Sequence, residues 1–171
     1  HGLTDGAIVV LASLGGMVEA NGKVGVVKVV DANNFELPGI DSTSYTTYTT
    51  GGTATPTQVT VGNVISYNGP DGQASDIDIT NLASTAKEYL IGLQDNGQIS
   101  FNVHTDDTDQ GQQALLSSRA GGIPVTHLLT LRNGKTRTFS ASCKQFSEQG
   151  GVDAAVQTSV VCRISGAVTR G

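Results

Sequence analysis

From Gln98 to His104 the side chains alternate: Ile99, Phe101 and Val103 fall on one parity, and Gln98, Ser100, Asn102 and His104 on the other. A period of two is that of a half-buried strand, and the preceding Asn96-Gly97 tolerates the positive φ of a tight turn. Beyond His104 the period lengthens to nearly four, which predicts a helix ended by Gly121-Gly122. Asp106, Asp107 and Asp109 lie ahead of it, where unpaired N–H groups and the positive end of the helix dipole favour carboxylates, so they are expected to cap it.

Residues 1–56 read as a separate small β module. Apolar runs at 7–11 and 24–30 are separated by Gly15-Gly16 and Asn21-Gly22, with Asn33-Asn34 and Pro38-Gly39 as further hairpin signals. Residues 44–50, rich in Thr with Tyr45 and Tyr48, have strand propensity without apolar character and are expected at an exposed edge or loop. Pro56 marks the junction, and residues 57–171 form the second domain. There Val59, Val61, Asn63, Ile65 and Tyr67 share a strand parity, residues 68–72 form a turn and 74–80 a second strand, while 81–93 read as a structured loop closed by Gly92. Strands over 125–131, 135–146 and 153–165 complete it. The fold class expected is all-β with one short α-helix: two packed antiparallel sheets, a sandwich or barrel, plus the N-terminal β domain.

Composition narrows the function. Glycine makes up 22 of 171 residues and Trp is absent, which suits short strands joined by tight turns. Ten basic against fifteen acidic residues give a net charge of −5, which argues against a surface that grips nucleic acid by neutralising phosphates. No apolar run approaches the roughly 20 residues of a membrane-spanning helix. The two cysteines, Cys143 and Cys162, lie in strand-like stretches and read as small buried apolar residues, with a hairpin near Gly150-Gly151 able to oppose them in a register that the pattern leaves open.

No catalytic constellation is legible. The acidic run before Gly111 has Ser118 where a calcium loop needs a bidentate Glu, and His1, His104 and His127 lack zinc spacing. There is no G-x-S-x-G, no P-loop and no dinucleotide fingerprint. Neither an enzyme nor a cofactor is expected.

Four stretches of the second domain carry a resemblance: residues 75–82 with 85–89, residues 92–101, residues 111–116 and residues 165–169. In order and spacing they resemble the major tail tube proteins of long-tailed, siphovirus-like bacteriophages. The resemblance implies a structural virion protein, assembled in the host cytoplasm, whose homo-hexameric rings stack into a tube around a lumen lined by a continuous barrel of strands. It implies tape measure, tail-tip and tail-terminator proteins as partners, and DNA passing through without specific binding during ejection. A loop over residues 78–98 is implied to reach the neighbouring ring, with Asp78, Thr85, Lys87, Glu88, Tyr89, Gln94 and Asp95 as candidate contacts. The strand that normally opens such a domain would precede Val59, where this chain has its extra module.

That module, through residues 1–6, 16–22, 29–37 and 48–53, resembles a β module of virion proteins. It is named for its likeness to the first catalytic-cysteine half-domain of ubiquitin-activating enzymes. With no cysteine in residues 1–55, thioester chemistry has no nucleophile here.

Gln98, Ser100, Asn102 and His104 are the candidate lumen face, where an acidic or neutral wall would pass DNA without friction. A solvated outer face is the alternative for the same four. The competing function is an adhesin-like or fibre-associated binding module, recognising its target through residues 45–48.

Overall fold

The computed structural model describes His1–Gly171. Its first half contains β1 (Ile8–Gly15), a 3-10 turn (Val18–Ala20), β2 (Val24–Val26), β3 (Lys28–Val29), β4 (Phe35–Glu36) and β5 (Thr50–Pro56). There follow β6 (Val64–Asn68), β7 (Gln73–Asp78), β8 (Tyr89–Asp95) and β9 (Gln98–His104). The chain closes with the helix α1 (Gln110–Gly121), β10 (Val125–Thr130), β11 (Thr136–Gly151) and β12 (Ala154–Arg170). The architecture is all-β with one helix, in antiparallel sheets of five, three, two and two strands.

The five-stranded sheet, ordered β10-β11-β12-β9-β6, holds the main core. One face presents Ile99, Phe139, Ala141, Cys143, Val160, Cys162 and Ile164, and Leu115 of α1 packs onto it. Burial therefore selects the Ile99/Val103 parity of β9 for the core. Cys143 and Cys162 are direct cross-strand partners, both buried and both free thiols.

The N-terminal residues form the sheet β2-β1-β5 and the small hairpin β3-β4. Residues 50–56, read from sequence as a closing turn and a junction, are instead the edge strand β5, with Pro56 opposite Val9. An edge strand pairs through its backbone alone, so it needs no apolar alternation, and proline is tolerated there.

Nor is the module held on a loose linker; it is seated on α1. The Val26 N–H donates to Ser117 Oγ at 2.8 Å, and the Ser117 hydroxyl donates to the Pro38 carbonyl at 2.7 Å. Beside them Val26, Ile123 and Val125 form a second buried cluster, with Ile8 against it.

Between the two parts, residues 57–63 cross the start of α1. The strand expected from Val59 to Tyr67 is only half present. Asn63 turns the chain with φ +58°, and β6 begins at Val64. Val61 packs on the core instead, close over Gly111, where a Cβ would lie 2.5 Å from the Thr60 carbonyl oxygen.

Candidate assembly surfaces

The helix start is built from its carboxylates, each with a different task. Asp109 is the N-cap: one oxygen accepts the Gln112 N–H at 2.8 Å and the other the Gly62 N–H at 3.1 Å, tying the crossing segment to the helix. Asp106 sits earlier and accepts the Thr108 N–H and hydroxyl; the latter bond leads the effects that hold its carboxyl below the usual carboxylate range. Asp107 does not cap. Its side chain is exposed and only its carbonyl is used, accepting from Gln113 Nε2 at 2.8 Å. At the other end Gly122 adopts φ +64° and donates to the Arg119 carbonyl.

The face of the five-stranded sheet turned away from α1 and the N-terminal module is polar. Pairing runs Ser66–Asn102–Ser159–Ser147 across one row and Asn68–Ser100–Val161–Gln145 across the next. Further rows add His104–Gln157–Gln149 and Gln98–Arg163–Ser142. No Asp or Glu occurs in these rows, and Arg163, the one cation in them, is paired with Asp95. The Gly97 N–H and then Arg163 hold the Asp95 carboxyl below its ordinary range. Gln98, Ser100, Asn102 and His104 thus lie together on a polar surface without carboxylates, with the exposed Lys144 in the bulge between the Ser142 and Gln145 rows, and the acidic excess of the chain lies elsewhere.

Residues 73–95 leave the body of the molecule. β7 and β8 pair only with each other, and the segment read as a loop closed by Gly92 continues through that glycine as β8. A Cβ on Gly92 would stand 2.6 Å from Ser75 Oγ, so the residue marks a close approach between strands rather than a stop. A lone two-stranded hairpin is marginally stable in water. This one also exposes Ile77, Ile79, Leu82, Tyr89, Leu90, Ile91 and Leu93, with Ile91 71% and Leu93 94% accessible. Register places Ile77 and Leu90 on one face and Tyr89 and Ile91 on the other, so both faces carry unburied apolar surface.

Of the candidate contacts, Asp78 accepts from the Thr80 N–H and, at 3.4 Å, from Lys87 Nζ; Lys87 in turn lies 6.0 Å from the Tyr89 ring centroid. Glu88 accepts the Ser84 hydroxyl at the hairpin end. Thr85 and Gln94 are exposed. The polar residues expected at this site organise the arm; of its exposed apolar residues only Tyr89 was singled out from sequence, and the Ile and Leu residues were not. Their signal was the density of Ile and Leu at 77–79 and 89–93 between turn-forming stretches.

Two further surfaces are unsatisfied. β6 and β10 are the free edges of the large sheet, and they expose Val64, Ile65 and Tyr67 at one edge and Leu128 at the other. By contrast the Tyr45/Tyr48 pair, through which an adhesin-like module would recognise its target, is split. Tyr45 lines a cleft of about 310 Å³ between the N-terminal module and α1, whereas Tyr48 donates to the Gly51 carbonyl.

The molecule is thus a β body with a projecting apolar arm and two open sheet edges. The chain belongs to the phage tail tube family: residues 39–150 match the family model described as phage tail tube, TTP, lambda-like. It is accordingly a structural component of a virion tail. Residues 1–58 match the model of the ubiquitin-activating enzyme E1 FCCH domain.

Among solved structures, the chain is similar to one from the virion of a native gene transfer agent particle, at 15% identity and TM-score 0.56 over 66% of this chain and 87% of that one. A second comes from the tail of an empty gene transfer agent particle refined with helical C6 symmetry, at 15% identity and TM-score 0.53 over 64% and 82%. This likeness establishes the fold. Comparison with curated protein sequences gives no match.

Proposed function

We propose that this chain forms hexameric rings that stack into a tail tube, with the polar face of the five-stranded sheet lining a DNA-conducting lumen. The observation that carries the reading is the arm, β7 and β8, which exposes apolar residues on both faces and has no partner within its own chain. Such a hairpin gains its stability from a neighbouring copy, as exposed apolar surface does at interfaces. Sixfold symmetry is supported by the tail structure of similar fold, and ring closure by the two free edges, β6 and β10.

The lumen assignment rests on sidedness. α1 and the N-terminal module cover one face of the sheet, so the polar face without carboxylates is the one left to look inward. A wall of Ser, Asn and Gln binds no phosphate through counterion release, and so holds DNA weakly during passage. The same sidedness supports an external position for the module of residues 1–56. Tape measure, tail-tip and tail-terminator proteins are the partners expected at the lumen and the two ends.

Sedimentation velocity of the intact chain beside Ile91→Asp/Leu93→Asp tests the arm. The parent should sediment as rings or longer polymers, and the variant should lose the species larger than a single ring. Unchanged polymerisation of the variant contradicts the role of the arm.

A further inference from the structure

At one end of the long β11–β12 hairpin, Arg137 and Arg170 are direct cross-strand partners. Like charges so opposed repel each other unless an anion lies between them. They share an open cleft of about 580 Å³ with Asn133, Gly134 and Lys135, and Arg132 belongs to the same turn. The three ion pairs of the chain, Lys28–Glu36, Lys87–Asp78 and Arg163–Asp95, use none of these four cations. Gly171 also lines the cleft, and four of the ten basic residues therefore stand together with no Asp or Glu paired to them. Arg137 reaches only the carbonyl of Thr136 on its own strand, at 2.7 Å.

The opposite end of the same hairpin has the complementary character. It exposes Glu148, near the end of β11 and opposite Thr158, and Asp153 in the turn beside Val152, which is 96% accessible; neither carboxylate is in an ion pair. Fourteen strand positions, about 45 Å at 3.3 Å each, separate Arg137 from Gly151, so the two ends of one copy cannot meet. Surfaces that complement each other yet lie at opposite ends of a molecule form a heterologous contact, which closes into a ring or propagates along an axis according to its rotation; directed along the strands of stacked rings, this one would propagate.

We propose that the β11–β12 turn of one copy seats in the Lys135/Arg137/Arg170 cleft of the next, Glu148 and Asp153 supplying the missing counter-charge and Val152 the apolar tip. The inference rests on the tube reading above and deepens it: it gives stacking a polarity along the strands and names a second contact beside the arm. Its charges set register and favour head-to-tail over head-to-head approach, where cleft would face cleft.

The test uses two exposed-site variants of the full chain, Lys135→Glu/Arg170→Glu and Glu148→Lys/Asp153→Asn. Asn is chosen at 153 because that residue holds φ +60°, which Asn tolerates. Circular dichroism establishes that both fold, and mass photometry counts rings and stacked rings. Each variant alone should raise the concentration needed for stacking at least about tenfold while still forming single rings. An equimolar mixture should recover stacking, because the reversed cleft of one accepts the reversed turn of the other. Variants that stack like the parent, or a mixture no better than its components, overturn this contact while leaving the tube reading intact. A parent chain that never stacks overturns both.

Discussion

Val26 of β2 and Ser117 of α1 are joined by a buried hydrogen bond of 2.8 Å that spans 91 residues of sequence. The same hydroxyl donates to Pro38, so one helix side chain satisfies two backbone groups of the N-terminal module. The module and the helix consequently behave as one body.

Replacing this hydroxyl tests that coupling. Ser117→Ala leaves a buried N–H and a carbonyl without their partner, at a cost of roughly 1–3 kcal/mol. Urea unfolding should show the loss, and amide exchange should place it partly in β2, with Val26 protection reduced. Unchanged protection at Val26 would contradict the coupling.

Gly111 gives a test in which two effects have opposite signs. Alanine in a helix interior is favoured over glycine by about 1 kcal/mol. Here the added Cβ would meet the Thr60 carbonyl and the Val61 backbone at 2.5 Å, and backbone cannot turn aside as a side chain can. Gly111→Ala should therefore destabilise the protein in denaturant titration. A gain in stability would show that residues 57–62 do not cross α1 so closely.

His127 predicts a pH dependence. Burial holds its pKa below the ordinary 6.5, against the opposing effect of a hydrogen bond with the Ala141 backbone, and the ring stacks on Phe139 with centroids 5.7 Å apart. Below pH 6.5 the unfolded chain takes up the proton more readily than the folded one, so this contribution to stability falls from that pH down to the lowered folded value. Thermal melts between pH 8 and 5 should show a smaller acid loss for His127→Phe than for the parent, since Nε2 has no partner to forfeit. Parallel profiles would exclude His127 as the titrating group.

Cys162 should be silent in the folded protein. The hydrogen bond with Cys143, and then burial, push the Cys162 thiol up, away from the reactive thiolate. A thiol reagent at neutral pH should modify Cys162 only on unfolding, at the global rate. Rapid labelling of native Cys162 would contradict its burial.

How far the fold was legible depended on which interactions leave a pattern. The switch of period at His104 exposed both β9 and α1, because a one-sided core imposes alternation on a strand and a stripe on a helix. β5 left no such mark: Thr50–Pro56 is nearly all exposed and held by backbone pairing to β1. β8 was hidden because Gly92 reads as a stop, whereas here it makes room for Ser75. The shared parity of Val59 and Tyr67 is interrupted because Asn63 turns the chain after Val61 has joined the core.

The candidate surfaces were legible by residue type but not by role. Alternation gave both parities of β9, and only the placement of Leu115 decides which is core. The net charge left an acidic or a neutral wall open; the rows across the sheet hold no carboxylate, because the carboxylates gather on the N-terminal module, the arm and its base, the helix start and the far end of the β11–β12 hairpin. In the arm, Ile77, Leu90 and Leu93 drew no notice from sequence, because a strand and a loop reading say nothing of exposure, and in the structure all three are exposed.

Negative-stain electron microscopy of the purified intact chain, over a range of concentration and salt, tests the central claim most directly. Long hollow tubes with a regular axial repeat, sixfold end views and external knobs from residues 1–56 are the predicted result. A particle that stays monomeric or trimeric under all those conditions would contradict the tube.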